Sequence, residues 1–148
     1  MNNSDFEYDH DLFQRALVTS AGGYKRAKEC LLENIDHWQR TGSELLMGNL
    51  SLAIHESGDL ITGEVLGRKF NIHVAPFVDN QKGYAEVIVS TPRLSGSELN
   101  ECCRFLIAAN GSVLTSDKEE LLAWDDRFQS YRFLIAVTRR VIGSPVQV

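Results

Sequence analysis

The chain has 148 residues, 43% hydrophobic and 24% charged, with a net charge of −5. Length and balance suit one globular domain with its own core, residues 1–148, rather than a disordered or fibrous chain. The acidic balance argues against a general nucleic-acid binder, which needs a basic face, and no apolar run approaches a membrane span.

Met1 to Asp11 is polar and acidic and lacks the basic and apolar regions of a signal peptide. Residues 1–10 read as a flexible acidic N-terminus. Asp9 or Asp11 is placed to cap a short helix carrying Leu12, Phe13, Ala16 and Leu17. Ala21-Gly22-Gly23 should break it. Tyr24, Ala27, Leu31, Ile35 and Trp38 then recur at three and four, which predicts a second helix from about Tyr24 to Arg40.

Residues 49–91 hold four alternating segments. Leu50, Leu52 and Ile54 share one side of the first, and Ser51, Ala53 and His55 the other. A turn at Ser57-Gly58 sets Ile54 opposite Ile61, Leu52 opposite Gly63 and Leu50 opposite Val65. A turn at Gly67-Arg68 sets Val65 opposite Phe70, Gly63 opposite Ile72 and Ile61 opposite Val74. A third connection at Asp79-Asn80 puts Val74 by Ala85, Ile72 by Val87 and Phe70 by Val89. All three turns bring the large apolar residues to one face, and a one-residue slip of the pairing would break that agreement.

The opposite face then forms rows. Ala53, Thr62, His73 and Glu86 make one, Ser51, Glu64, Asn71 and Ile88 the next, and His55, Leu60, Ala75 and Tyr84 a third. Leu60, Leu66, Tyr84 and Ile88 make this face more apolar than a sheet normally shows to water. Coverage by a terminal segment or by a partner is expected.

Residues 97–115 read two ways. Ser97 could cap a helix running to Asn110-Gly111. The preferred reading is a hairpin, with Cys103 to Ala108 and Ser112 to Thr115 flanking Asn110-Gly111, Ile107 opposite Leu114, and one helical turn at Ser97 to Glu101. Ser116 with Glu119 forms a capping box before Leu121, Leu122 and Trp124, and Asp125-Asp126 restarts the helix. Phe128, Tyr131, Leu134, Ile135, Thr138 and Ile142 form its stripe; Gly143 and Pro145 end it. The expected fold is α+β: an antiparallel meander of about five or six strands. Its Leu50, Ile54, Ile61, Val65, Phe70, Ile72 and Val87 face packs on helices at 24–40 and 126–142.

No motif fixes a chemistry. His73 and Glu86 are the nearest approach to one: a carboxylate beside a histidine sets its tautomer, with Thr62 and Asn71 close by. On that reading the protein is a small hydrolase or transferase working on the outer sheet face. A surface pair worth roughly 0.2–1 kcal/mol explains the same residues more simply. His55 and His73 share a face two strands apart, so about 10 Å or more separates them, against zinc bonds of about 2.0–2.1 Å. No metal site or cofactor is expected. Cys30, Cys102 and Cys103 are odd in number, two of them adjacent, and form no disulfide framework. They fit a reducing, cytoplasmic setting and a packing role. Acidic residues cluster at Asp5, Glu7, Asp9 and Asp11 and at Asp117, Glu119, Glu120, Asp125 and Asp126. They suit helix starts, or a surface that docks a basic partner.

In size, acidity and helix–meander–helix order the plan resembles small bacterial type III secretion chaperones and toxin-immunity proteins. No motif matches either group, and no residue role carries over. The leading expectation is a non-enzymatic protein-binding module (a chaperone, adaptor or toxin antagonist). Its binding face would be Thr62, Glu64, His73, Tyr84, Glu86 and Ile88, and its partner another protein, basic in charge or a second copy of the chain. A small-ligand pocket between the sheet and the C-terminal helix is a third reading.

Overall fold

Each strand pairs with its neighbour in sequence. The computed structural model describes residues 1–148 as an α+β fold. A seven-stranded antiparallel meander runs β1 (Leu50–Ile54), β2 (Leu60–Val65), β3 (Arg68–Asp79), β4 (Lys82–Pro92), β5 (Leu99–Ile107), β6 (Val113–Leu114) and β7 (Glu120–Leu122). Two long helices, α1 (His10–His37) and α3 (Gln129–Gly143), pack on one face of it. The core joins Leu31, Ile35 and Trp38 of α1 to Ile61, Phe70, Ile72, Val87 and Val89 of the sheet and to Phe133, Leu134 and Val141 of α3.

The first register is the expected one, with Leu50 opposite Val65, Leu52 opposite Gly63 and Ile54 opposite Ile61. The next two turns lie one residue earlier and one later than expected. Leu66 and Gly67 both take positive φ, as do Asn80 and Gln81, which makes each a tight turn of the kind hairpins favour. Val65 therefore pairs with Arg68, Gly63 with Phe70 and Ile61 with Ile72. Val74 pairs with Val87, Ile72 with Val89 and Pro76 with Ala85. Moving a turn by one residue slides its strands by two, and an even slide keeps each side chain on its face. The apolar face survives, and the rows across the other face change. Of the core positions expected on the sheet, only Ile54 is exposed, at the end of the edge strand.

The predicted break at Gly22-Gly23 is absent; α1 is one helix of 28 residues, capped by the Asp9 side chain on the Leu12 amide at 3.0 Å. Gly23 is buried against β4, where a Cβ would stand 2.8 Å from the Gly83 carbonyl oxygen. A Cβ on Gly83 would in turn run into the Ser20 carbonyl. The two glycines let helix and strand backbones touch. A glycine costs a helix about 1 kcal/mol against alanine, and docking on the sheet offsets that cost.

Beyond His37 the helix widens into a π-helical turn (Trp38–Gly42) and a short α2 (Ser43–Leu45). Trp38 sits edge-on to Phe133, with ring centroids 5.0 Å apart. Its Nε1–H donates to the Ser130 carbonyl at 2.9 Å, and His37 Nδ1 meets Ser130 Oγ at 2.8 Å. These contacts seat the start of α3 on the end of α1. Lys28 ties α1 to the β1–β2 turn, with Nζ 2.5 Å from Asp59 Oδ1 and 3.0 Å from the Ser57 carbonyl.

The hairpin reading of 97–115 holds, with corrections. Strand β5 begins at Leu99, so no helical turn forms at Ser97 to Glu101. Ile107 pairs with Val113 and Leu106 with Leu114. The Ser116 to Glu119 capping box starts no helix. Asp117 and Lys118 turn the chain, Lys118 with φ of 67°, and Glu120–Leu122 returns as β7 beside β6. Local signals there favour a helix, and pairing beside β6 overrides them. Helix α3 starts at Gln129, and its buried stripe is Phe133, Leu134, Val137, Thr138 and Val141; of the expected stripe Leu134 and Thr138 are buried and Ile135 is half-buried. Phe128, Tyr131 and Ile142 are exposed.

Candidate functional site

Thr62, Glu64, His73, Tyr84, Glu86 and Ile88 do share the sheet face away from the helices, and all are half-buried. The predicted His73–Glu86 pair does not form. His73 lies between Leu60 and Ile88, while Glu86 opposes Ala75 and Leu106. The shifted register makes the two residues diagonal neighbours. Glu86 is held instead by Arg104, whose Nη1 is 3.4 Å away. His73 Nε2 is buried without a hydrogen-bond partner. Thr62 opposes Asn71, not His73, and its hydroxyl meets His55 Nε2 at 3.2 Å. The sequence-predicted catalytic set, His73, Glu86, Thr62 and Asn71, therefore stands on one face with no carboxylate orienting the imidazole. Coverage of this face is partial: Leu106 and Leu114 are buried on it, beside the β6–β7 loop that the Lys118–Asp79 ion pair ties to the β3–β4 hairpin.

The thiols fit packing. Burial pushes the Cys103 thiol up to about 11 and raises that of Cys30, whose neighbours Glu33 and Glu29 act in the same direction. Neither is primed as a thiolate nucleophile. No three His, Cys, Asp or Glu side chains gather where they could share a metal ion.

A run of exposed apolar side chains lies elsewhere, at the start of α1. In α1, Ser20 is the first buried residue, and its carbonyl rests against Gly83. From His10 to Thr19 every residue is exposed save half-buried Ala16. At a helical rise of 1.5 Å per residue this is an overhang of about 15 Å. Leu12 and Phe13 are each more than half exposed, Leu17 is 50% exposed and Val18 77%. Phe6 and Tyr8, just ahead of the helix, are as open. Phe13 and Ala16 extend the stripe that Ser20, Gly23, Ala27, Leu31 and Ile35 bury, in steps of three and four. The core-facing side of the helix thus continues past the core. Asp5, Glu7, Asp9 and Asp11 surround it, with Arg15 the one nearby cation before Lys25. Periodicity marked these residues as a helix but could not mark them as uncovered, because a buried stripe and a bare one read alike.

A helix-flanked meander with an acidic, apolar helical overhang defines an α+β domain with a built projection. Compared with known proteins, the chain matches no family model, no curated protein and no solved structure.

Proposed function

We propose that the protein is a non-enzymatic protein-binding module, of the kind a dedicated chaperone, adaptor or toxin antagonist would be. It binds by laying the α1 overhang into an apolar groove of another protein. The observation that carries this reading is the bare stripe of Leu12, Phe13 and Leu17 on a helix otherwise anchored to a core. Scattered exposed apolar residues are ordinary, but contiguous ones with polar rims mark interaction sites. An amphipathic helix with anchors three and four residues apart is a standard way to fill a groove. The four acids beside the stripe favour a groove with basic rims, since complementary charge speeds encounter and suppresses wrong partners.

The test is a tagged pull-down from the native host at moderate salt, run with the wild type and with a Leu12→Gln/Phe13→Gln/Leu17→Gln variant. The wild type should retain a stoichiometric partner and the variant should lose it. The three positions touch no core, so the variant should melt at nearly the same temperature. Sedimentation of the purified protein tells a foreign partner from a second copy. Equal retention by the variant would move the interface to the Thr62, His73, Tyr84 and Ile88 face. A monomer with no partner at all would sink the reading.

A further inference from the structure

A cleft of about 250 Å³ opens between α3 and strands β5 to β7, remote from the α1 overhang. Its floor is apolar and buried: Phe105, Val113, Phe133 and Val137. Leu121 and Leu122 of β7 form the far lip. The near wall is one face of α3, where Arg132, Ala136 and Arg140 stand four residues apart. Ala136 is exposed, and its small side chain leaves the gap between the two arginines open.

The three arginines around the cleft are not equivalent. Arg132 is paired with Asp126, and Arg104 with Glu86 and Glu101. The Arg140 guanidinium has no carboxylate within 4.0 Å and donates no hydrogen bond, yet it lines the cleft in a chain with five more acids than bases. An apolar slot closed on one side by a free guanidinium has a definite complement. The tail must be hydrocarbon and the head must be an anion with two oxygens, which arginine holds in a fork.

Volume limits the tail. A dry apolar cavity of about 150 Å³ accepts benzene, and pockets for drug-sized ligands start near about 300 Å³. The cleft lies between these, enough for one ring with a short arm or a chain of medium length.

We propose that this cleft binds a small apolar monocarboxylate, an aryl-alkanoic or medium-chain alkanoic acid. The carboxylate pairs with Arg140, and the hydrocarbon lies over Phe105, Val113 and Phe133. The inference is independent of the protein-binding reading, because it uses no residue of the overhang.

The probes are octanoate and 3-phenylpropionate, with octanamide and octylamine as the neutral and cationic controls. Binding is read by calorimetry and by amide chemical shifts on the full chain. Octanoate should saturate, shift the amides of β5 and α3, and raise the melting temperature. Octanamide should bind about tenfold more weakly, the loss expected when one charge-assisted hydrogen-bonded contact is removed. Arg140→Gln should erase the difference between octanoate and octanamide. Ala136→Leu fills the slot from an exposed position, so it should abolish binding of both while leaving the melting temperature unchanged. Failure of octanoate to bind, equal binding of octanoate and octanamide by the wild type, or binding that survives Ala136→Leu would each overturn the proposal. Loss of octanoate binding in the Leu12, Phe13 and Leu17 variant would also overturn it, since the ligand would then sit on the overhang.

Discussion

At the residue scale, the smallest side chains do the most to place the large elements. Gly23 and Gly83 bring α1 into backbone contact with β4, and neither position has room for a Cβ. Gly22, one residue away, meets only the end of the Arg26 side chain at 3.4 Å. Adjacent glycines should therefore answer the same substitution with opposite sign. Gly23→Ala must push the helix off the Gly83 backbone and should cost about 1–2 kcal/mol, the overpacking penalty less the gain in helix propensity. Gly22→Ala relieves a helix interior of a flexible residue and should add up to about 1 kcal/mol. Urea denaturation of both variants measures the two changes. A common sign would show that the close approach does not set the helix position. Nothing in the sequence separates these glycines. Gly22-Gly23 reads as a helix break because the strand that makes glycine necessary lies sixty residues further on.

At the scale of elements, what was legible depended on whether a periodicity had one meaning. Two-residue alternation from Leu50 to Val89 gave the sheet and its buried side, and even a misplaced turn left the faces right. The rows were less secure, because they depend on each turn to the residue. The His73–Glu86 neighbourhood dissolved for that reason. The segment from Ser116 to Leu122 misled because the three residues of β7, Glu120–Leu122, are too few to show a period, and pairing with β6 decides their conformation. The overhang was read as helix but not as bare. A physical difference follows within α1. Of its first ten residues only Ala16 is even half-buried, whereas Tyr24 to His37 lies on the sheet. Amides from Phe13 to Thr19 should exchange with deuterium far faster than those from Ala27 to Ile35, near the rates of a fraying helix end. Uniform protection along α1 would mean the overhang is covered in the free protein, by a second copy.

For the whole molecule, the order β1 to β7 without a crossover means that every sheet contact joins sequence neighbours. Closure of the fold rests on the helices. The Trp38–Phe133 contact and the Ser130 hydrogen bonds link residues more than ninety apart, and Arg68 donates to the Ser144 carbonyl to hold the chain's end against the β2–β3 turn. Trp38 thus reports on docking of both ends, while far-ultraviolet dichroism reports on the elements themselves. With Trp124 replaced by Phe, fluorescence of Trp38 and dichroism should trace one unfolding curve with the same midpoint, as a single cooperative unit requires. Separate midpoints would show that the meander outlives the docking of α3.

The contact between Gly23 and Gly83 also has a mechanical meaning. Helix α1 is a cantilever: eighteen residues, Ser20 to His37, are clamped to the sheet, and its first ten reach out as a free arm. The clamp begins where the Ser20 carbonyl meets Gly83, two residues past the Asn80-Gln81 tip of the β3–β4 hairpin, so that point is the fulcrum. A sideways load on Leu12 or Phe13 acts through a lever of about 10–15 Å. It is delivered as torque to the hairpin whose Asp79 holds Lys118 of the β6–β7 loop. A force on the arm is felt first at that joint.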